Sequence, residues 1–222
     1  FHEFAGAQGG GLPVKGQGIK HLHTQCFQEP ILDGGRRQNI GRVFGRKEQP
    51  RIGLNDHDGG RAAKGAGFHI HCAEDKADAE AARREGFAGA ADRLHQLGIL
   101  GPKTITAHCI HVTDDEVRAL ADTKTTIVTN PQSNMNNAVG VANVPKLLEA
   151  GCTVGLGSDG MTADILREMA ALIFTQRQRM QRPDVMFAEA VNALCVTNPA
   201  IASAVFGKPV GILAEGAAGD VV

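Results

Sequence analysis

Four short stretches of this sequence carry residues able to hold a cation and move protons. They are His71-Cys72-Ala73-Glu74, His108-Cys109-Ile110-His111, Asn130-Pro131-Gln132-Ser133-Asn134 and Gly157-Ser158-Asp159-Gly160. Neutral imidazole and carboxylate are donors that Zn²⁺ or Fe²⁺ accept, and a cation with one position open brings the pKa of a bound water toward neutrality. A separate carboxylic acid can then carry protons during hydrolysis. His71, Glu74, His108 and Asp159 together read as the kit for a metal-activated water. Each alone is a weak signal: a histidine at a strand end is often a hydrogen-bonded structural residue, and an aspartate flanked by glycines can simply shape a turn. Their weight comes from order and placement. His69 is assigned to its strand alone, turned away from His71, and His111 to a loop or to the cap of the next helix.

That placement depends on the elements presenting them. From Gly67 onward, short apolar runs alternate with amphipathic stretches, the pattern of β/α repeats on a parallel sheet. Strands are expected over 68–73, 104–108, 125–128 and 152–156. A helix is expected over 76–97. Thr113 with Glu116 has the form of a capping box opening a second helix to Ala121. A polar loop over 130–134 follows the third strand. A short helix over 144–150 closes at Gly151, a natural residue just past a helix end. Helices over 163–179 and 187–196 complete the series. The fold class expected is α/β, with four β/α units forming the C-terminal half of a TIM (β/α)8 barrel, truncated, over 67–205. Such barrels gather their reacting groups at the carboxyl ends of the strands, where these four motifs fall.

The first 66 residues are of another kind. They hold 14 of the chain's 28 glycines, only ten Ile, Leu, Val or Met, and ten basic against six acidic residues. No helical or strand period runs through them, so they are expected to be a disordered arm or sequence read out of frame. The opening Phe1-His2-Glu3-Phe4 is not a translation start, and something upstream is expected to be missing. The chain has no Trp and no Tyr, again suggesting that part of it is atypical.

A formal net charge of −1 argues against nucleic acid or an acidic membrane as partner. No apolar run approaches a membrane span and no signal peptide is evident. Five scattered cysteines without a C-x-x-C pair suit free thiols better than a disulfide framework or a zinc finger. The expectation is a cytoplasmic protein with a small-molecule substrate, no nucleic acid, no membrane, and a possible homo-oligomer.

At these motifs the sequence resembles the amidohydrolase superfamily, in the branch of methylthioadenosine/S-adenosylhomocysteine deaminases, guanine deaminases and triazine chlorohydrolases. Within it, the text is most similar to the aminohydrolases associated with selenium metabolism. The resemblance rests on His71-Cys72-Ala73-Glu74, Thr106 through His111, Asn130 through Asn137 and Gly155 through Gly160, in family order over about 67–222. It implies that His71 is a metal ligand and that Glu74 moves a proton from water to the leaving nitrogen. It implies that His108 polarises the attacked centre or steadies the water, and that Asp159 holds the metal and accepts a proton. Ser133 and Asn134 would shape the substrate pocket. One divalent metal, Zn or Fe, is the implied cofactor, and residues 206–222 would begin a small β-sandwich domain.

The sequence departs from that family in three ways. An H-x-H pair should supply two further ligands, yet only His21-Leu22-His23 has the spelling, in a glycine-rich setting unlike a buried strand. Thr129 stands where the family commonly has His. The first four barrel strands are unrecognisable. The reading is therefore a metal-dependent C–N hydrolase of aminopurine-like heterocycles, with chloride displacement open to the same apparatus. The alternative is an inactive barrel fragment that folds only by association, and this chain alone is expected to show little turnover.

Overall fold

A computed structural model of the chain describes residues 67–219. Four strands, β1 (His69–Cys72), β2 (Ile105–His108), β3 (Thr126–Thr129) and β4 (Thr153–Leu156), form one sheet in the order β1-β2-β3-β4. All three pairings are parallel, and their registers align His71, Ala107, Val128 and Gly155 at one level. Every carboxyl end therefore lies along the same rim. Helices are packed through a core that includes Cys72, Ile127, Val154 and Leu156 from the strands with Leu94, Leu120, Leu147 and Leu172 from the helices. This is the α/β arrangement that the alternating pattern predicts.

The helices differ from the sequence reading in instructive ways. The single helix expected over 76–97 is two, α1 (Lys76–Arg84) and α2 (Ala90–Gln96). The chain turns between them at Gly86, whose φ of 95° suits glycine. The capping box stands: Thr113 Oγ1 accepts the Glu116 N–H, and Glu116 Oε2 accepts the Thr113 N–H, at the start of α3 (Asp114–Asp122). The other oxygen of Glu116 also accepts the N–H groups of Ala91 and Asp92, so one carboxylate serves two helix starts. Gly89 allows this approach, since a Cβ there would lie 2.4 Å from Glu116 Oε1.

The polar stretch expected as a loop is a helix, α4 (Pro131–Asn136), with proline at its first position, where no N–H is needed. Helix α5 (Val144–Glu149) ends as expected, with Gly151 left-handed at φ 83°. Helix α6 (Ile165–Met180) follows β4. Helix α7 (Phe187–Asn192) does not stop near Val196. It runs through a π-helical stretch (Ala193–Thr197) into α8 (Asn198–Phe206). The sequence reading found no span-length apolar run, but Phe187–Phe206 is a 20-residue helical run with mean hydropathy 1.2, enough by length and composition alone to cross a bilayer. Here its Asn198 carboxamide binds the outer edge of β4, donating to Leu156 O at 2.8 Å and accepting from Leu156 N at 2.9 Å.

His69 also needs correction. Side chains on a strand repeat every second residue, so His69 and His71 share a face. His69 is held below its ordinary pKa by desolvation and, secondarily, by the charge of His71. Residues 1–66, including His21 and His23, lie outside the described part.

Candidate metal centre

The rim gathers three of the four motifs around one imidazole. His108, at the end of β2, is 0% exposed, and its Nε2 has no hydrogen-bond partner among the described residues. That nitrogen lies 3.7 Å from Glu74 Oε2 and 3.9 Å from Asp159 Oδ2. The His71 ring stands edge-on to His108 with centroids 5.1 Å apart. Donor atoms of His71, Glu74 and His108 all lie within 4.8 Å of one another, a spacing that one cation could bridge.

Backbone conformation aims these groups. Ala73 (φ 51°), His108 (φ 72°) and Asp159 (φ 51°) are left-handed although none is glycine, each at or just past a strand end. Such a conformation costs an L-residue roughly 1–2 kcal/mol, and it recurs where a fold holds a functional side chain in place. It turns His108 out of the strand's simple alternation. Gly157 leaves room for the Asn130 side chain: a Cβ there would come within 2.5 Å of Asn130 Oδ1.

Helix α4 supplies the next layer. Ser133 Oγ donates to Asp159 Oδ2 at 2.6 Å, and His108 Nδ1 donates to Asn134 Oδ1 at 2.8 Å. An amide oxygen only accepts, so Nδ1 carries a proton and donates it to Asn134, while Nε2 is turned toward Glu74 and Asp159. Ser133 and Asn134, expected to shape a substrate pocket, direct these side-chain atoms to Asp159 and His108. Asn137, to which the sequence reading gave no role, donates to Glu74 Oε1 at 3.3 Å and lies 3.5 Å from Ser133 Oγ. His111 is on a loop, as expected, and its Nε2 donates to Val139 O at 2.7 Å.

Two further groups back the centre. Glu168 of α6 is buried under α4 and binds Gln132 through both oxygens. Desolvation raises its pKa, the Gln132 bonds oppose that, and the charge of Asp159 adds to the rise. Cys72 and Cys109 are buried behind the histidines. The hydrogen bond that Cys72 shares with Cys109, with the thiol of Cys72 as donor, and burial push the Cys72 thiol well up. The imidazoles of His71 and His108 and the carboxylate of Glu74 fit a divalent cation by donor chemistry and by spacing, while Asp159 falls outside that trio and comes within 3.9 Å of His108 Nε2.

A parallel α/β sheet with imidazole and carboxylate groups on its carboxyl rim is the design of a metal-assisted hydrolase. Residues 61–222 match the amidohydrolase family, and the chain belongs to it. It is 34% identical over 160 residues to a 5-methylthioadenosine/S-adenosylhomocysteine deaminase of Desulforamulus reducens, covering 70% of this chain and 37% of that protein. It is 32% identical to a 5'-deoxyadenosine deaminase of Methanothermobacter thermautotrophicus, covering 70% of this chain and 36% of the relative. The fold is similar to that of an adenosine deaminase from Xanthomonas campestris solved with bound zinc, with a TM-score of 0.63 at 19% identity, covering 72% of this chain and 37% of that one. The chain thus spans little more than a third of the length of the relatives it matches.

Proposed function

We propose that the chain contributes the carboxyl-terminal half of a (β/α)8 barrel, over 67–205, to a metal-dependent hydrolase that deaminates a small adenine-nucleoside-like or related heterocyclic substrate. Residues 206–222 would lead into a small β domain. The observation carrying this reading is the fully buried, unpartnered Nε2 of His108, facing the carboxylates of Glu74 and Asp159 beside His71. The names of the relatives supply the substrate class.

In this reading His71 and Asp159 would hold a divalent cation, Zn or Fe, with His108 Nε2 among the candidate donors. When bound, the cation makes a water acidic enough to serve as nucleophile near neutral pH. Glu74 would carry a proton from the attacking water to the amino nitrogen, so that the carbon–nitrogen bond breaks and ammonia leaves. Asn137 orients Glu74 for both transfers. Ser133 and Asn134 keep Asp159 and His108 in position. Thr129 narrows what the pocket can offer a substrate, replacing an imidazole with a hydroxyl.

Metal analysis tests the proposal directly. Chain purified after growth with zinc or iron should retain close to one equivalent, and His71→Ala should retain none. No bound metal after supplementation would overturn the reading. Ammonia release from 5'-methylthioadenosine or S-adenosylhomocysteine then tests the substrate class.

A further inference from the structure

Helix α4 has six residues, too few to persist by itself, and the Asn130 side chain before it makes no capping hydrogen bond among the described residues. Its start is held from α6. Glu168, 0% exposed, accepts the Gln132 backbone N–H on Oε2 at 3.0 Å and Gln132 Nε2–H on Oε1 at 2.9 Å. Two turns further along α6, buried Gln176 donates to Ala142 O at 2.8 Å, beyond the other end of α4. The two residues after Gln132 are Ser133 and Asn134, which bind Asp159 and His108. A carboxylate removed from water is costly unless its partners are well placed. Here they lead in one step to the rim.

We propose that Glu168 is a positioning residue of the centre. Through Gln132 it fixes where α4 begins, and thereby the points from which Asn134 keeps the His108 proton on Nδ1 and Ser133 grips Asp159. This deepens the functional reading above, but its test needs neither cation nor turnover, so the two can fail separately.

The substitution Glu168→Gln keeps the side chain's shape but leaves one acceptor oxygen for two donors. Adding Gln132→Glu restores both bonds: the amide oxygen at 168 still accepts the backbone N–H, and its NH2 group donates to the new carboxylate. The readout is nitrogen NMR of the full chain carrying ¹⁵N-histidine, with the ring neutral and the His108 signal assigned by its loss in His108→Gln. Glu168→Gln should lower the ratio of the Nδ1–H to the Nε2–H tautomer about fivefold, the ratio one ordinary hydrogen bond sustains. The double variant should bring it back. Glu116→Gln, which weakens a buried cap elsewhere, should lower the Tm yet leave the ratio alone. If Glu168→Gln lowers the Tm without changing the ratio, or if Glu116→Gln changes it equally, the proposal is wrong. Should Glu168→Gln fail to fold, Gln132→Ala removes only the side-chain bond. A smaller shift in the same direction is then expected, and an unchanged ratio overturns the assignment.

Discussion

Glu116 and Glu168 are both buried glutamates that accept N–H groups at the start of a helix other than their own. Glu116 joins α2 to α3 in the helical layer, where α2 contributes Ala91 and Leu94 to the core. Glu168 joins α6 to α4, which carries the residues touching His108 and Asp159. The bonding chemistry is shared, and the consequence depends on what the capped helix carries. One glutamate maintains packing, and the other maintains the orientation of reacting groups. Substitutions around Glu116 should therefore act on stability, and those around the rim on cation binding and rate.

The largest effect expected lies at the rim. His71→Ala and Asp159→Asn should abolish metal retention, read by elemental analysis, while the Tm of the metal-free chain stays close to that of the parent. Either variant holding a full equivalent would break the division drawn here. Next comes Glu74→Gln in an intact version of the protein, expected to keep the cation and lower the rate of ammonia release by about 10²–10⁴. An unchanged rate would remove Glu74 from the proton path. Smaller again, Glu116→Gln should cost about 1–3 kcal/mol in denaturant unfolding, because a buried N–H loses its acceptor. Metal affinity should be unaltered, and a parallel loss of affinity would show that the layers are coupled.

The smallest effect concerns pH. Burial raises Glu168, so over a window above the ordinary glutamate range the folded chain holds a proton that the unfolded chain has released. With more protons on the folded state, stability declines as pH rises through that window. Glu168→Gln has no such proton, and the slope of unfolding free energy against pH there should flatten. A slope identical to the parent's would place the titration on another group.

The strands, their parallel order and the rim positions of His71, His108 and Asp159 could be read from sequence, because apolar runs of four to six residues ended in these groups. The Thr113–Glu116 box and Gly151 were equally legible, being local signals with one physical meaning each. Helix α4 was not: Asn130, Ser133 and Asn134 have the composition of a loop, and Pro131 was the overlooked clue to a helix start. Left-handed backbone at His108 and Asp159 has no compositional mark in the absence of glycine. Glu168 left a trace, a charged residue in register with Ala171 and Leu172 on the apolar stripe of α6, where only a residue with buried partners belongs. Asn137 lay within the quoted motif, but its bond to Glu74 joins residues 63 positions apart and no periodicity announces it.

The Asn198 carboxamide beside Leu156 has a consequence for how this sheet can grow. With one donor and one acceptor it counterfeits a single residue of a neighbouring strand. A polypeptide laid against that flank of β4 meets a filled socket at the carboxyl end and must either dislodge the helix bearing Asn198 or pair lower, toward Thr153. The flank thus carries its own register stop, a simple guard against indiscriminate strand addition.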